Sequence, residues 1–229
     1  MRFSPAPALT VLALLAGCAP AEPLSDVNRD RVFARYELIY DGTNDRTEPR
    51  ASFRFGNATG TQLRLDGGAE VTFEGRALEL QTPLNITFYN ASLDGLVREG
   101  VFRYTDTGGE GYANTARLRP AELPRELPEI DNDAAYTVAW DGAPVADGEE
   151  VRLVLYRVSA DSRLAVASAS RTGDTRVTIS EDQLRDVQPG EITVLLTRFT
   201  RRSLDEGTGA GGEIVGEYNA PQRLVRVVD

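Results

Sequence analysis

From Val32 onward, apolar side chains recur at every second position. Val32, Ala34, Tyr36, Leu38 and Tyr40 alternate with a set that includes Arg35, Glu37 and Asp41. A spacing of two puts one set on each face of an extended chain, so this run predicts a half-buried strand. Asp41-Gly42 then marks a turn. Ala51, Phe53 and Phe55 alternate with Ser52 and Arg54, and residues 56–60 read as a loop. The same grammar continues through Leu63/Leu65, Val71/Phe73, Leu78/Leu80, Ile86/Phe88 and Phe102/Tyr104. A glycine-rich hairpin at 108–111 leads to a strand near 113–118. Turn signals recur about every 8–12 residues, the rhythm of an all-β sandwich.

Pro120, Pro124 and Pro128 interrupt the pattern among Glu122, Arg125, Glu126 and Glu129. Such a stretch cannot continue a sheet ladder and predicts a domain boundary. The alternation then resumes. Tyr136, Val138 and Trp140 share one face, 151–158 is strongly apolar, and strands follow near 164–170, 176–179, 192–199, 214–218 and 223–228. Ser180 with Gln183 three positions later has the form of a capping box, which predicts one helical turn over 181–187. No amphipathic helix longer than about two turns is predicted. The expected division is a leader over 1–17, an extended tether over 18–30, a first sandwich over 31–119, a linker over 120–132 and a second sandwich over 133–229.

The N-terminus follows a different rule. Arg2 precedes the apolar run Val11-Leu12-Ala13-Leu14-Leu15, and Leu15-Ala16-Gly17-Cys18 closes it. The run is far short of the ~20 residues of a membrane-spanning helix and reads as a signal peptide. Those last four residues resemble the lipobox of bacterial lipoproteins. The resemblance implies a diacylglycerol on the Cys18 sulfur, cleavage before Cys18 and acylation of the new amine. Leu15 would fill an apolar subsite, while Ala16 and Gly17 allow a peptidase to approach the backbone. Ala19 follows Cys18 where an aspartate would signal inner-membrane retention, so the resemblance implies an outer-membrane anchor. Whether the anchored protein faces the periplasm or the cell exterior stays open.

Composition narrows the chemistry. Cys18 is the one cysteine, so with its thiol lipidated no disulfide or thiolate metal site is expected. The chain has no histidine, which removes Ser-His-Asp and Cys-His catalysis and the usual zinc-hydrolase sites. All 25 basic residues are arginine, which removes Schiff-base lysines. A net charge of -10 repels nucleic acid. After a cut at Cys18, 229 − 17 = 212 residues remain, enough for two domains of about 100 residues.

The second half also resembles an immunoglobulin or fibronectin type III sandwich, with Trp140 on an early strand and 151–158 and 192–199 as central strands. The whole is similar to envelope lipoproteins of the Bacteroidetes type. Fold likeness alone assigns no activity.

Other clusters have plainer readings. Asp131-Asn132-Asp133 faintly resembles the calcium linkers of cadherins, but calcium takes six to eight oxygens and these residues alone do not supply them. Glu129, Asp205 and Glu206 would have to converge on it; a solvated acidic linker is the simpler expectation. Asp147-Gly148-Glu149-Glu150 and Asp205-Glu206 read as solvated turns, not as the facing carboxylates of a glycosidase. Phe88, Tyr89, Tyr104 and Tyr112 read as core, not as a sugar-stacking platform. Asn57, Asn85 and Asn90 fit the N-glycosylation pattern by chance. Arg198, Arg201 and Arg202 balance nearby carboxylates, or meet an acidic partner. The glycine-rich loop 207–212 lacks a phosphate-binding signature. The sequence therefore predicts a non-enzymatic, cofactor-free binding or spacer module for a protein or glycan. The alternative is a structural subunit of an outer-membrane transport, gliding or assembly complex.

Overall fold

The computed structural model describes residues 20–157 and 162–228, and the chain is all-β with several sheets. Twelve principal strands carry it: β1 (Val32–Asp41), β2 (Arg46–Phe55), β3 (Glu70–Phe73), β4 (Glu99–Thr105), β5 (Gly111–Arg117), β6 (Tyr136–Ala139), β7 (Glu149–Arg157), β8 (Ser162–Ala169), β9 (Arg176–Ile179), β10 (Gly190–Ser203), β11 (Gly212–Asn219) and β12 (Arg223–Val228). Glu181–Leu184 forms a helical turn, α1. Ser180 N–H donates to Gln183 Oε1 at 3.2 Å, the reach-back half of the expected capping box.

β1 shows strict alternation of buried and half-buried residues, as its sequence predicts. It forms an antiparallel hairpin with β2, in which Tyr36 faces Ala51 and Ala34 faces Phe53. β2 begins five residues before the recognisable alternation and contains Pro49. The Pro49 carbonyl accepts from Ala91 N–H at 3.2 Å, so that backbone edge points toward the short strands Phe88–Asn90 and Leu93–Asp94. Those strands break between Asn90 and Leu93, so no ladder partner requires the N–H that proline lacks.

A second sheet, in the order β5-β4-β3, covers the inner face of β1 and β2. Aromatic rings fill the space between them. Tyr36 stacks on Phe102 with centroids 4.9 Å apart, Phe53 meets Tyr104 at 4.8 Å, and Phe73 meets Phe102 at 4.8 Å. Such pairs contribute about 0.5–1.5 kcal/mol each beyond their buried area.

In the second half, β8, β7, β10 and β11 lie side by side, while β6 pairs with β9. Val151, Leu153, Leu155, Val194 and Leu196 are buried from the first set; Tyr136, Val138, Val177 and Ile179 are buried from the second. Trp140, just past β6, is 6% exposed, with its indole N–H on the Ala143 carbonyl at 3.1 Å.

The ladder does not stop at 120–132. β11 pairs in parallel with β1 over eight positions, from Gly212 opposite Ala34 to Asn219 opposite Asp41. One sheet therefore runs through both halves, and the buried residues form one continuous cluster from Leu24 to Val227. The proline-rich segment is docked against this body: Ala121 and Leu123 are buried, Glu122 bridges to Asp141, and Ile130 pairs in parallel with Val227.

Two local expectations are corrected. The expected unpacked tether is folded from Glu22 on: Glu22–Pro23 pairs in parallel with Leu63 and Arg64, and Leu24 is 1% exposed. Its two large apolar residues, Leu24 and Val27, show no strand periodicity, so their docking left no local signal. The expected strand at Ile86/Phe88 begins only at Phe88; Ile86 is 53% exposed in the preceding loop.

Candidate functional site

Leu15, Ala16, Gly17 and Cys18, expected from their resemblance to form a lipobox, lie outside the described residues. The structure defines how the chain enters the body just after them. Glu22 lies opposite Leu63 and Pro23 opposite Arg64 in parallel register, so the chain arrives from the side of Gln62. The Gln62 amide clamps the neighbouring loop from both ends: Nε2 donates to the Asn85 carbonyl at 3.1 Å, and Oε1 accepts from Thr87 N–H at 2.6 Å. Within that loop Leu84 (φ 50°) and Asn85 (φ 62°) occupy the left-handed region, which leucine rarely adopts. Leu84 is 90% exposed.

Beside this loop, a cavity of about 350 Å³ opens on the outer face of β1 and β2, with Arg35, Arg50 and Arg54 in its wall. The three guanidiniums are engaged. Arg35 donates to Glu37 at 2.8 and 3.0 Å and also to Glu213. Arg50 donates to Glu48 and lies 4.6 Å over the Phe88 ring; Arg54 donates to the Gly60 carbonyl at 3.0 Å. These pairs follow strand geometry, since residues two apart share a face. A larger groove of about 760 Å³ lies where the 41–46 turn meets Asn219 and Gln222. Its Asp41 carboxylate is spent on the turn itself, accepting from Thr43 N–H at 2.9 Å and Asn44 N–H at 3.2 Å.

The most buried cation among the described residues, Arg198, centres a structural knot. Arg198 is 1% exposed and donates to the carbonyls of Ala143 (2.7 Å) and Pro144 (2.8 Å) and to the Glu149 carboxylate. Arg119 donates to the other Glu149 oxygen at 2.7 Å. Burial pushes the Glu149 carboxyl up, but the hydrogen bonds and charges of Arg198 and Arg119, with the Ala146 N–H, outweigh it and hold it below its ordinary value. Glu149 is thus not the solvated turn residue expected; it opens β7 and is 9% exposed because two cations and a backbone donor replace its water. Arg201 and Arg202 do pair with carboxylates, Glu213 and Asp205.

The remaining expected clusters fall as follows. Asp131 Oδ1 accepts from Asp133 N–H at 2.9 Å, and Asn132 Nδ2 donates to the Val187 carbonyl at 3.4 Å. Among the described residues no group of three or more His, Cys, Asp or Glu is arranged to hold a metal ion. Tyr89 and Tyr104 are buried core rings, whereas Phe88 and Tyr112 are half-buried. Asn57 organises its own loop by accepting from Thr59 N–H at 2.9 Å, and Asn90 donates to Glu48 at 3.0 Å. Sequence reasoning missed Arg198 as a core residue and Leu84 as an exposed one. The first carried a usable signal: it falls in phase with Val194 and Leu196 on β10, on the buried face.

No helix among the described residues is long and apolar enough to cross a membrane. No family model matches this chain, and no curated protein matches it.

Proposed function

We propose that the chain is a lipid-anchored protein of the bacterial cell envelope, held at the outer membrane through Cys18, that acts without catalysis as a binding or spacer module. The observation that carries this reading is Leu15-Ala16-Gly17-Cys18 at the end of a short apolar run, immediately ahead of a body folded from Glu22 on. Each buried acyl methylene contributes about 0.8 kcal/mol of membrane affinity, so several chains hold such a protein firmly. Anchoring raises the effective concentration of a presented surface, so weak contacts with a protein or glycan suffice.

The finer fold reading is two sandwiches that share a sheet. For the second half, the strand pairing supports an immunoglobulin or fibronectin type III unit: β6 with β9 on one side, β8-β7-β10-β11 on the other, and Ile130–Asp131 parallel to β12. The first half has the same two-sheet build around an aromatic core.

A second reading, a structural subunit of an envelope machine, is favoured by β8. Among the described residues β8 ladders only with β7; β9 and α1 pack close to it, with Gln183 Nε2 on the Val166 carbonyl at 2.8 Å, but no strand pairs with its other edge. Protease shaving of intact cells separates the two. Cleavage while a periplasmic control survives supports an outward-facing binding module. Protection until the outer membrane is broken, with extraction in a large particle, supports the subunit. Release into the soluble fraction on osmotic shock contradicts the anchor itself.

A further inference from the structure

The end of the molecule that receives the N-terminal segment also carries the most exposed large apolar side chain among the described residues. Three residues, Ala19, Pro20 and Ala21, separate Cys18 from Glu22. At no more than about 3.6 Å per residue, Cys18 stays within about 14 Å of the Glu22 position. Glu22 in turn sits opposite Leu63, whose neighbour Gln62 grips the 83–87 loop through both of its amide atoms. Leu84 and Ile86, 90% and 53% exposed, project from that loop. Leucine in a left-handed conformation costs free energy, and an exposed leucine held there gains nothing within the fold that offsets it.

We infer that the 83–87 loop is a membrane-contact surface: Leu84 and Ile86 enter the interfacial layer of the bilayer that holds the Cys18 lipid, and so fix the orientation of the body. The inference rests on the lipid-anchor reading proposed above. The short reach from Cys18 brings this end of the sheet to the bilayer. The far end lies about 26 Å away, eight residues along β1 at ~3.3 Å each. Leu224, 66% exposed, belongs to that far end, where β12 follows the Gln222 turn. The 41–46 turn and its groove then face away from the membrane, open to a partner.

The test uses the lipoprotein purified from cells and placed in phosphatidylcholine vesicles with or without brominated acyl chains. Bromine quenches only a tryptophan that enters the acyl region, and Trp140 is buried in the protein. Intact mass of the N-terminal peptide reports the lipid separately. With lipid present, Leu84→Trp is expected to lose most of its added emission to bromine, while Leu224→Trp and the unsubstituted protein lose none. Lipid on Cys18 with Leu84→Trp as unquenched as Leu224→Trp overturns the contact surface and leaves the anchor standing. A peptide without lipid overturns the anchor reading. Cys18 is then a free thiol, and coupling it to a maleimide lipid repeats the quenching test: loss of Leu84→Trp emission supports the surface, and unchanged emission overturns it.

Discussion

Arg198 shows how far one residue can depart from its type. An arginine is rarely fully buried unless paired, and here two backbone carbonyls and Glu149 replace its water. Such a pair is weak evidence of stabilisation, but breaking it is expensive because a buried charge is left alone. Glu149→Gln is expected to lower unfolding stability by about 3–5 kcal/mol, read from urea titration. Replacing both partners by apolar residues of similar volume should recover most of that loss. The pH dependence follows from the depressed Glu149 carboxyl. Its contribution is complete above the unfolded-state value of about 4.3 and is lost as pH falls through the lower folded-state value, so wild type should show an acid-labile increment below about pH 4 that Glu149→Gln lacks. Tyr104 is the opposite case. Burial pushes its phenol well above the ordinary range, and its hydroxyl has no hydrogen-bond partner among the described residues. Tyr104→Phe should therefore change stability by no more than about 0.5 kcal/mol, or raise it, in the same urea assay.

At the scale of elements, β5 is an edge strand that another part of the chain caps. Glu206 accepts from Ala113 N–H at 2.6 Å, Arg202 donates to the Thr115 carbonyl, and Thr200 Oγ1 donates to the Arg117 carbonyl at 3.4 Å. Asn114, 1% exposed, completes the clasp by accepting from Asp205 N–H (2.8 Å) and Glu206 N–H (3.1 Å) and donating to the Glu206 carbonyl (2.8 Å). Asn114→Ala leaves these groups unmet and should cost about 2 kcal/mol or more. Gly216 on β11 lets β5 approach, since a Cβ there would collide with the Arg117 carbonyl. Gly216→Ala should destabilise by about 1–3 kcal/mol and speed hydrogen exchange in β5 before the rest of the sheet. Strands whose alternation is strict, such as β1, were legible in the sequence. The parallel pairing of β1 with β11 was not. Its partners lie 178 positions apart, Gly212 opposite Ala34, and no local pattern encodes a pairing at that separation. Pro49 hid the start of β2 for a related reason: its tolerance depends on a break in the neighbouring strand, which residue type does not reveal.

For the whole molecule, the shared sheet and the continuous core predict that both halves unfold together. Trp140 fluorescence, expected to be blue-shifted in the native state, and the near-ultraviolet circular dichroism, to which five first-half tyrosines contribute, should give coincident urea transitions; two separated transitions would show independent domains. The proline-rich segment looked like a linker because prolines cannot extend a ladder, yet Ala121 and Leu123 are buried by the body around them. Of the candidate sites, the proposed lipobox at Leu15-Ala16-Gly17-Cys18 is a linear pattern, so its residues are recognisable without a fold. The Gln62 clamp and the exposed Leu84 arise from tertiary contacts and have no linear signature. The proposed function requires that Cys18 carry lipid and hold the body folded from Glu22 at the membrane. The most direct measurement is palmitate labelling and membrane fractionation of cells making the wild-type chain or Cys18→Ser. A lipid-anchored chain gives a labelled, membrane-bound wild type and an unlabelled variant that leaves the membrane fraction; an unlabelled wild type recovered with the soluble proteins rules the anchor out.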